Sequence, residues 1–321
     1  MRTKTFILSA LAITTCATAL AQQAYPSRPV RVIIPYAPGG ASDATGRVVA
    51  QKLSEALKQQ FVIDNRPGAS GSLGRELAAR ATPDGHTLLI ADAPHTINVH
   101  VLKHVPYDPI KDFTAITLLA SAPQALVIHP GMPYPLLKDF VAAANAAPGK
   151  FNYGSGGNGS ITHLTGELFK LATRVNLTHV PYKSVGIATA DVLAGQMHTA
   201  FPTLPGVVEH VRSNRLRALG VTAVKRVAPW PHVPTFEESG ISGVIVANWF
   251  GVFGPAKLPP DRLAIVHKAV LDALNAADVR TKLNNLSLDI NTMRPPEFET
   301  FLKVELEKWG KVVKAAGLRA D

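Results

Sequence analysis

The chain has 321 residues, 46% hydrophobic and 17% charged, with a formal charge of +10 and one cysteine. It is long enough for two domains of ~150 residues, too apolar for a disordered chain, and its lone thiol cannot close an intrachain disulfide. The positive balance favours anionic partners. Lysines and arginines are nevertheless spread without a basic block or a nucleic-acid-reading motif, so no nucleic acid is expected.

The first segment has the layout of a secretory signal. Arg2 and Lys4 precede the apolar run Phe6 to Ala12, and Ala19-Leu20-Ala21 is a small-residue cleavage site before Gln22. The run is shorter than the ~20 residues of a membrane span, and no later stretch reaches that length. Residues 1–21 are therefore expected to be removed near Ala21, leaving a periplasmic chain that is not itself membrane-embedded. Cys16 would leave with them, which excludes thiol chemistry and a cysteine-based metal site.

Short apolar runs then alternate with amphipathic segments. Val30 to Ile34 reads as a strand, Pro35 to Gly40 as a loop, and Ala41 to Lys58 as a helix with Ala44, Val48, Val49, Leu53 and Leu57 on one face. Strands follow at 61–63 and 87–91, with a helical piece at 73–80 between them. Further strands are expected at 115–120, 124–129, 151–154, 176–180, 197–201, 215–221 and 249–254. Helices fit 135–147, 160–173, 185–195, 203–213, 260–276 and 295–315, the last opening on Pro295-Pro296. Such alternation predicts α/β architecture with helices covering mostly parallel sheets. The breaks near 122 and 223–235 are where the chain would cross between lobes. That divides it into a first lobe of 22–122 and 226–321 and a second of 123–225.

Two strand-to-helix turns stand out. Pro38-Gly39-Gly40-Ala41-Ser42-Asp43 joins a strand to the first long helix. Glycines there let the backbone turn sharply and approach a ligand, and the free amides of the helix start suit an anion. Ser42 and Asp43 either cap that helix or meet polar ligand groups. An ordinary connecting turn explains the motif equally well. It is neither a dinucleotide fingerprint nor a P-loop.

The second turn, Tyr153 to His163, has four glycines between 154 and 159. That is more conformational entropy than a plain turn needs, and a loop that wraps a ligand would explain it. Ser155, Gly156, Asn158, Gly159, Ser160 and His163 are its candidate contacts, although His163 also suits a capping role. A third loop offers Tyr182 as an aromatic wall, Lys183 as a charge or plain solvent lysine, and Ser184. Thr203 is the donor expected at a fourth edge. No nucleophile elbow or zinc-binding helix motif occurs, so neither catalysis, cofactor nor metal is expected.

The sequence resembles the Bordetella uptake gene family, extracytoplasmic solute receptors of tripartite tricarboxylate transporters. The likeness covers nearly the whole mature chain. It runs through Tyr25-Pro26, Pro35 to Arg47, Asn65 to Ala69 with Gly71, Pro83-Asp84-Gly85, Asp108 to Phe113, Gly154 to Leu164, Val180 to Lys183, Pro231 to Thr235, and Trp249. The resemblance implies a type II periplasmic-binding-protein fold, two mixed α/β lobes with hinge strands and a central ligand cleft. It implies a small organic anion (a mono-, di- or tricarboxylate) held between Tyr36, Ala37, Pro38, Gly39, Gly40, Ser42 and Asp43 on one side and the glycine-rich loop with Tyr182 to Ser184 on the other. It also implies a large and a small integral membrane subunit as partners. Ser184 stands where relatives commonly carry glycine, and His198 where they commonly carry aspartate. The expected function is carboxylate capture by lobe closure for transport. A ligand sensor and a carboxylate-processing hydrolase or lyase are the alternatives.

Overall fold

The computed structural model describes residues 25–318. The expected signal peptide and its cleavage site lie outside them.

The chain opens with β1 (Val30–Ile34), α1 (Ala41–Leu57) and β2 (Phe61–Asn65), followed by α2 (Ser72–Ala79), β3 (Thr87–Asp92) and α3 (Pro94–Val101). The 11-residue β4 (Phe113–Pro123) leads through Gln124 into β5 (Ala125–Ile128) of a second sheet. There follow α4 (Leu137–Ala146), β6 (Phe151–Ser155), α5 (Ile161–Thr173), β7 (Leu177–Pro181), α6 (Val185–Leu193), β8 (Thr199–Ala200), α7 (Val208–Arg212) and β9 (Arg217–Val221). The chain returns through β10 (Ala247–Pro255) and ends in α8 (Pro260–Asn275), α9 (Ala277–Asn285), β11 (Asp289–Ile290) and α10 (Pro295–Ala315).

These strands form a six-stranded sheet, β11-β4-β10-β3-β1-β2, and a five-stranded sheet, β7-β6-β8-β5-β9. In the first, β1 pairs in parallel with β2 and β3, while β10 lies antiparallel between β3 and β4. In the second, β6 is parallel to β7 and β8, and β5 is antiparallel to β8 and β9. Both sheets are therefore mixed. The strands β5 and β10, which run against their neighbours, lie on the passages between the sheets, and the short β11 also pairs antiparallel with β4.

Helices cover both faces of each sheet, and inner strands such as β1, β3 and β5 are nearly continuous apolar runs, while the edge strands β2 and β7 are polar and partly exposed. One face of the larger sheet packs on α1, α8 and α9 through Val49, Leu53, Val266 and Leu283. Its other face holds Ile97, Trp249, Phe298 and Trp309 against α3 and α10. The smaller sheet sits between Phe140 and Phe169 on one side and Val192, Leu204 and Val208 on the other. Ile161 and Leu164 at the start of α5 pack into the α3–α10 cluster, so the two α/β units touch there.

The Pro-rich stretch behaves differently from its expected place in the first lobe. Val227, Trp230 and Val233 pack with Val127 and Leu204, and Phe236, Ile241 and Val244 pack with Leu126 and Phe140. Its apolar residues are buried on the five-stranded sheet, so the return to the larger sheet falls at β10 and not at 226. Among the described residues no helix is long and apolar enough to cross a membrane.

Candidate functional site

The first turn leaves β1 at Ile34 and enters α1 at Ala41, with Ala37, Pro38, Gly39 and Gly40 exposed. Gly39 has φ +91°, a conformation that costs a side-chain-bearing residue energy, and Gly40 is an extended N-cap. Asp43 is 3% exposed and points back, with Oδ2 accepting from the Gly39 amide at 3.0 Å and from Arg47 at 2.9 Å. Its Oδ1 accepts from Asn65, which also donates to the Tyr36 carbonyl. Burial raises the Asp43 carboxyl, but the bonds from Arg47, Gly39 and Asn65 hold it below its ordinary range.

Tyr36 is anchored in the same inward sense. Its hydroxyl donates to Asp92 Oδ1 at 2.7 Å and accepts from Arg75 at 2.9 Å, while Arg75 meets the same carboxylate oxygen at 2.8 Å. Burial pushes the Asp92 carboxyl up against the pull of Arg75. Arg75 reaches further, to the Ser70 carbonyl at 3.1 Å, which Asn98 of α3 holds as well at 3.0 Å. There the backbone runs through Gly68, Ala69, Ser70 and Gly71 with φ positive at all four. Two non-glycine residues in that region store strain, and strain of this kind gathers at ligand clamps.

The second turn is braced by histidines. Ser155 is fully buried, its Oγ 2.6 Å from His179 Nε2 and accepting the Gly157 amide at 3.1 Å. The Gly159 amide donates to His163 Nδ1, the Gly156 amide to Thr162, and Ser160 caps α5 by accepting from the His163 amide. The rings of His163 and His179 stack at 3.9 Å. Burial, then His163 and Lys170, brings His179 down to about 3, and burial also lowers His163. Both shifts disfavour the charged rings, in keeping with His163 Nδ1 accepting the Gly159 amide. A serine–histidine pair at this distance resembles a nucleophile and its base, but Ser155 is enclosed, and here the pair holds the loop's shape.

The structure brings the second turn and the Tyr182–Ser184 loop together. The Tyr182 amide donates to the Ser155 carbonyl at 3.1 Å, and a Cβ on Gly156 would lie 3.2 Å from the Val185 nitrogen. A Cβ on Gly157 would be as close to the Tyr182 carbonyl. The Tyr182 hydroxyl donates to Asp191 at 2.6 Å, an acceptor that, with burial, raises its pKa to about 12. Ser184 caps α6, and Lys183 and Asn158 are exposed. His198 packs its ring on Phe151 and bonds Asn152 at 2.7 Å, a packing contact away from these loops. Thr203 bridges to Gln124 at the crossing between sheets. Gly159 (φ +74°) touches the other unit, since a Cβ there would meet Val101 of α3 at 2.8 Å. No described contact joins Tyr36–Asp43 directly to the glycine-rich loop.

Side chains that the sequence singles out as contacts are thus mostly turned inward. Among the described residues, no hydrogen bond within the protein uses the amides of Gly40, Ala41 and Ser42 on one side or of Asn158, Ile161 and Thr162 on the other. Arg75, Asp92, Asn65, Asn98 and His179 escape a sequence reading, because each acts through a partner distant in the chain.

Two mixed sheets, each edged with glycine turns and linked where the chain passes out through β4–β5 and back into β10, make this a type II periplasmic binding protein. Residues 45–318 match the model of the tripartite tricarboxylate transporter family receptor, and the chain belongs to that family. BugT of Bordetella pertussis is 31% identical over 297 residues, 92% of this chain and 91% of that one. An R. palustris protein solved with adipate is 32% identical with a TM-score of 0.84, covering 92% of this chain and 99% of its own. MatC from Rhodopseudomonas palustris with bound malate is 30% identical with a TM-score of 0.80, covering 90% of this chain and 100% of its own.

Proposed function

We propose that this chain captures a small organic carboxylate in the periplasm, between its two lobes, and delivers it to the large and small membrane subunits of a tripartite transporter. We take the lobes as the two sheet units, parting at Gln124 and rejoining at Ala247. One observation carries the reading. Buried polar side chains hold two turns, one on each unit, so that amides at the starts of α1 and α5 stay free of partners within the protein, which supports reading them as a pair of anion sites. Lys183 adds positive charge at the rim. Two structural relatives hold dicarboxylates, in keeping with that chemistry.

In this mechanism the open protein meets the anion with one lobe, and closure adds the second set of amides. Water leaves as the lobes meet, which strengthens each polar contact. Nothing is converted, and opening releases the ligand.

The test is calorimetric titration of protein freed of endogenous ligand by unfolding and refolding, against mono-, di- and tricarboxylates including malate and adipate. At least one should give saturable heat, and a hundredfold excess over Kd should stabilise the fold by ~2.7 kcal/mol. Neither heat nor thermal stabilisation across the panel would sink the receptor reading.

A further inference from the structure

A groove of about 980 Å³ lies at the junction of the two units. Its floor is the crossing segments themselves, Ser121 and Pro123 of β4, Thr222, and Ala247 of β10. One wall is the stretch after β9, with Val224 and Lys225, and the other runs from Asn284 through Asp289 to Asn291. A second hollow of about 580 Å³ shares Ser121, Ile245, Ala247 and Asn291 and extends the groove to Glu305 and Lys308 of α10.

Sheet order places this groove on the far side of the crossing strands from the ligand turns. In the larger sheet β11 lies beyond β4 on one side, while β1 lies beyond β10 and β3 on the other. In the smaller sheet β9 and β6 likewise flank β5 from opposite sides. The turns follow β1 and β6, and the groove walls follow β9 and flank β11. Rotation that closes the lobes over a ligand therefore parts the groove walls, and opening narrows them. A partner seated in the groove binds the loaded form better, and by linkage it also shifts the lobe equilibrium.

The chemistry of the walls states what fits. Val224 is 65% exposed and Ile245 is 39% exposed, large apolar surfaces left to water in one groove. Arg212 and Arg226 are paired with Glu209 and Glu238, whereas Lys225 is exposed and has no acidic partner among the described residues. Asn284 and Asn291 add amide groups.

We propose that this rear groove is the surface on which the membrane partner reads lobe closure, and that it takes an extended segment bearing an apolar side chain beside a carboxylate. The proposal rests on the receptor reading above.

The experiment places a photo-crosslinking amino acid at position 224 of the full chain, in its own cells supplied with malate and adipate. Position 62 is the control, because Val62 is 51% exposed on β2, at the edge of the larger sheet opposite β11 and the groove. Position 224 should crosslink to the large or small transporter subunit about tenfold more than position 62, and adding Lys225→Glu should reduce that yield about tenfold. Purified Val224→Asp and Lys225→Glu proteins should bind carboxylate with wild-type Kd. Equal yields at the two positions, or no subunit crosslinked at 224, overturn the groove. If the purified chain still binds carboxylate in that case, the receptor reading stands without it. If it binds none, both fall.

Discussion

Arg75 carries a charge with no exposure to solvent, balanced by Asp92 at 2.8 Å and by the Tyr36 hydroxyl. Desolvating two charges is expensive, so the worth of such a pair shows when one member is removed. Arg75→Met would strand the Asp92 carboxylate in the core and release Tyr36 and Ser70 together. We expect a loss of ~3–5 kcal/mol in urea unfolding, with part recovered in the Arg75→Met/Asp92→Asn double variant. A single variant within experimental error of wild type would mean that Asp92 is already protonated. None of this could be read from Arg75 in the sequence, where it is one basic residue in a short helix. The glycine turns were legible at this scale, because Gly39, Gly157 and Gly159 adopt positive φ. The roles of Asp43, Ser155 and His163 were not, since pattern reveals a polar residue beside a turn but not the direction it faces.

At the scale of elements, α5 and β7 meet through the stacked pair His163–His179, which accepts from the Gly159 amide and pairs with Ser155. Tyr153, Glu167 and Lys170 face the same cluster, and Glu167 is held by Tyr153 at 2.6 Å and Lys170 at 2.9 Å. Folding depresses both histidines below the ordinary 6.5, His179 to about 3. The unfolded chain thus takes up protons that the folded chain refuses, so their contribution is complete above pH 6.5 and falls away as the pH drops towards 3. The melting temperature should decline over that window, and His179→Gln should decline less steeply. Parallel profiles for the two proteins would remove the pair as the cause.

Elements with strong periodicity were legible, α1 and α10 among them. Others carried too little signal. Pro94–Val101 is rich in β-branched residues and is helical because Ile97 and Val101 pack towards α10. The α9 helix buries only Val279 and Leu283. The helix expected over 203–213 is a short 3-10 turn at Leu204–Gly206 and then α7, because Pro205 and Gly206 interrupt it.

Over the whole molecule, one hydroxyl ties together the two passages between the sheets. Thr222 Oγ1 accepts the Gln124 amide at 2.9 Å on the outgoing strand and donates to the Val246 carbonyl at 2.5 Å on the returning one. Backbone bonds between Thr222 and both segments lie beside it, and Thr222 is buried. Thr222→Val keeps the shape but leaves the Gln124 amide and the Val246 carbonyl short of a partner, a loss of ~1–3 kcal/mol. Because the same bonds tie the two crossings to each other, the loss should appear twice. Urea unfolding should shift by that amount, and the ligand-free protein should scatter with a larger radius of gyration as the lobes sample wider angles. Saturating carboxylate should restore the wild-type radius, since closure is then held by contacts to both lobes. A variant with lowered stability and an unchanged radius would assign the lobe angle to the Ile161–Leu164 packing on α3 and α10 instead of to the hinge.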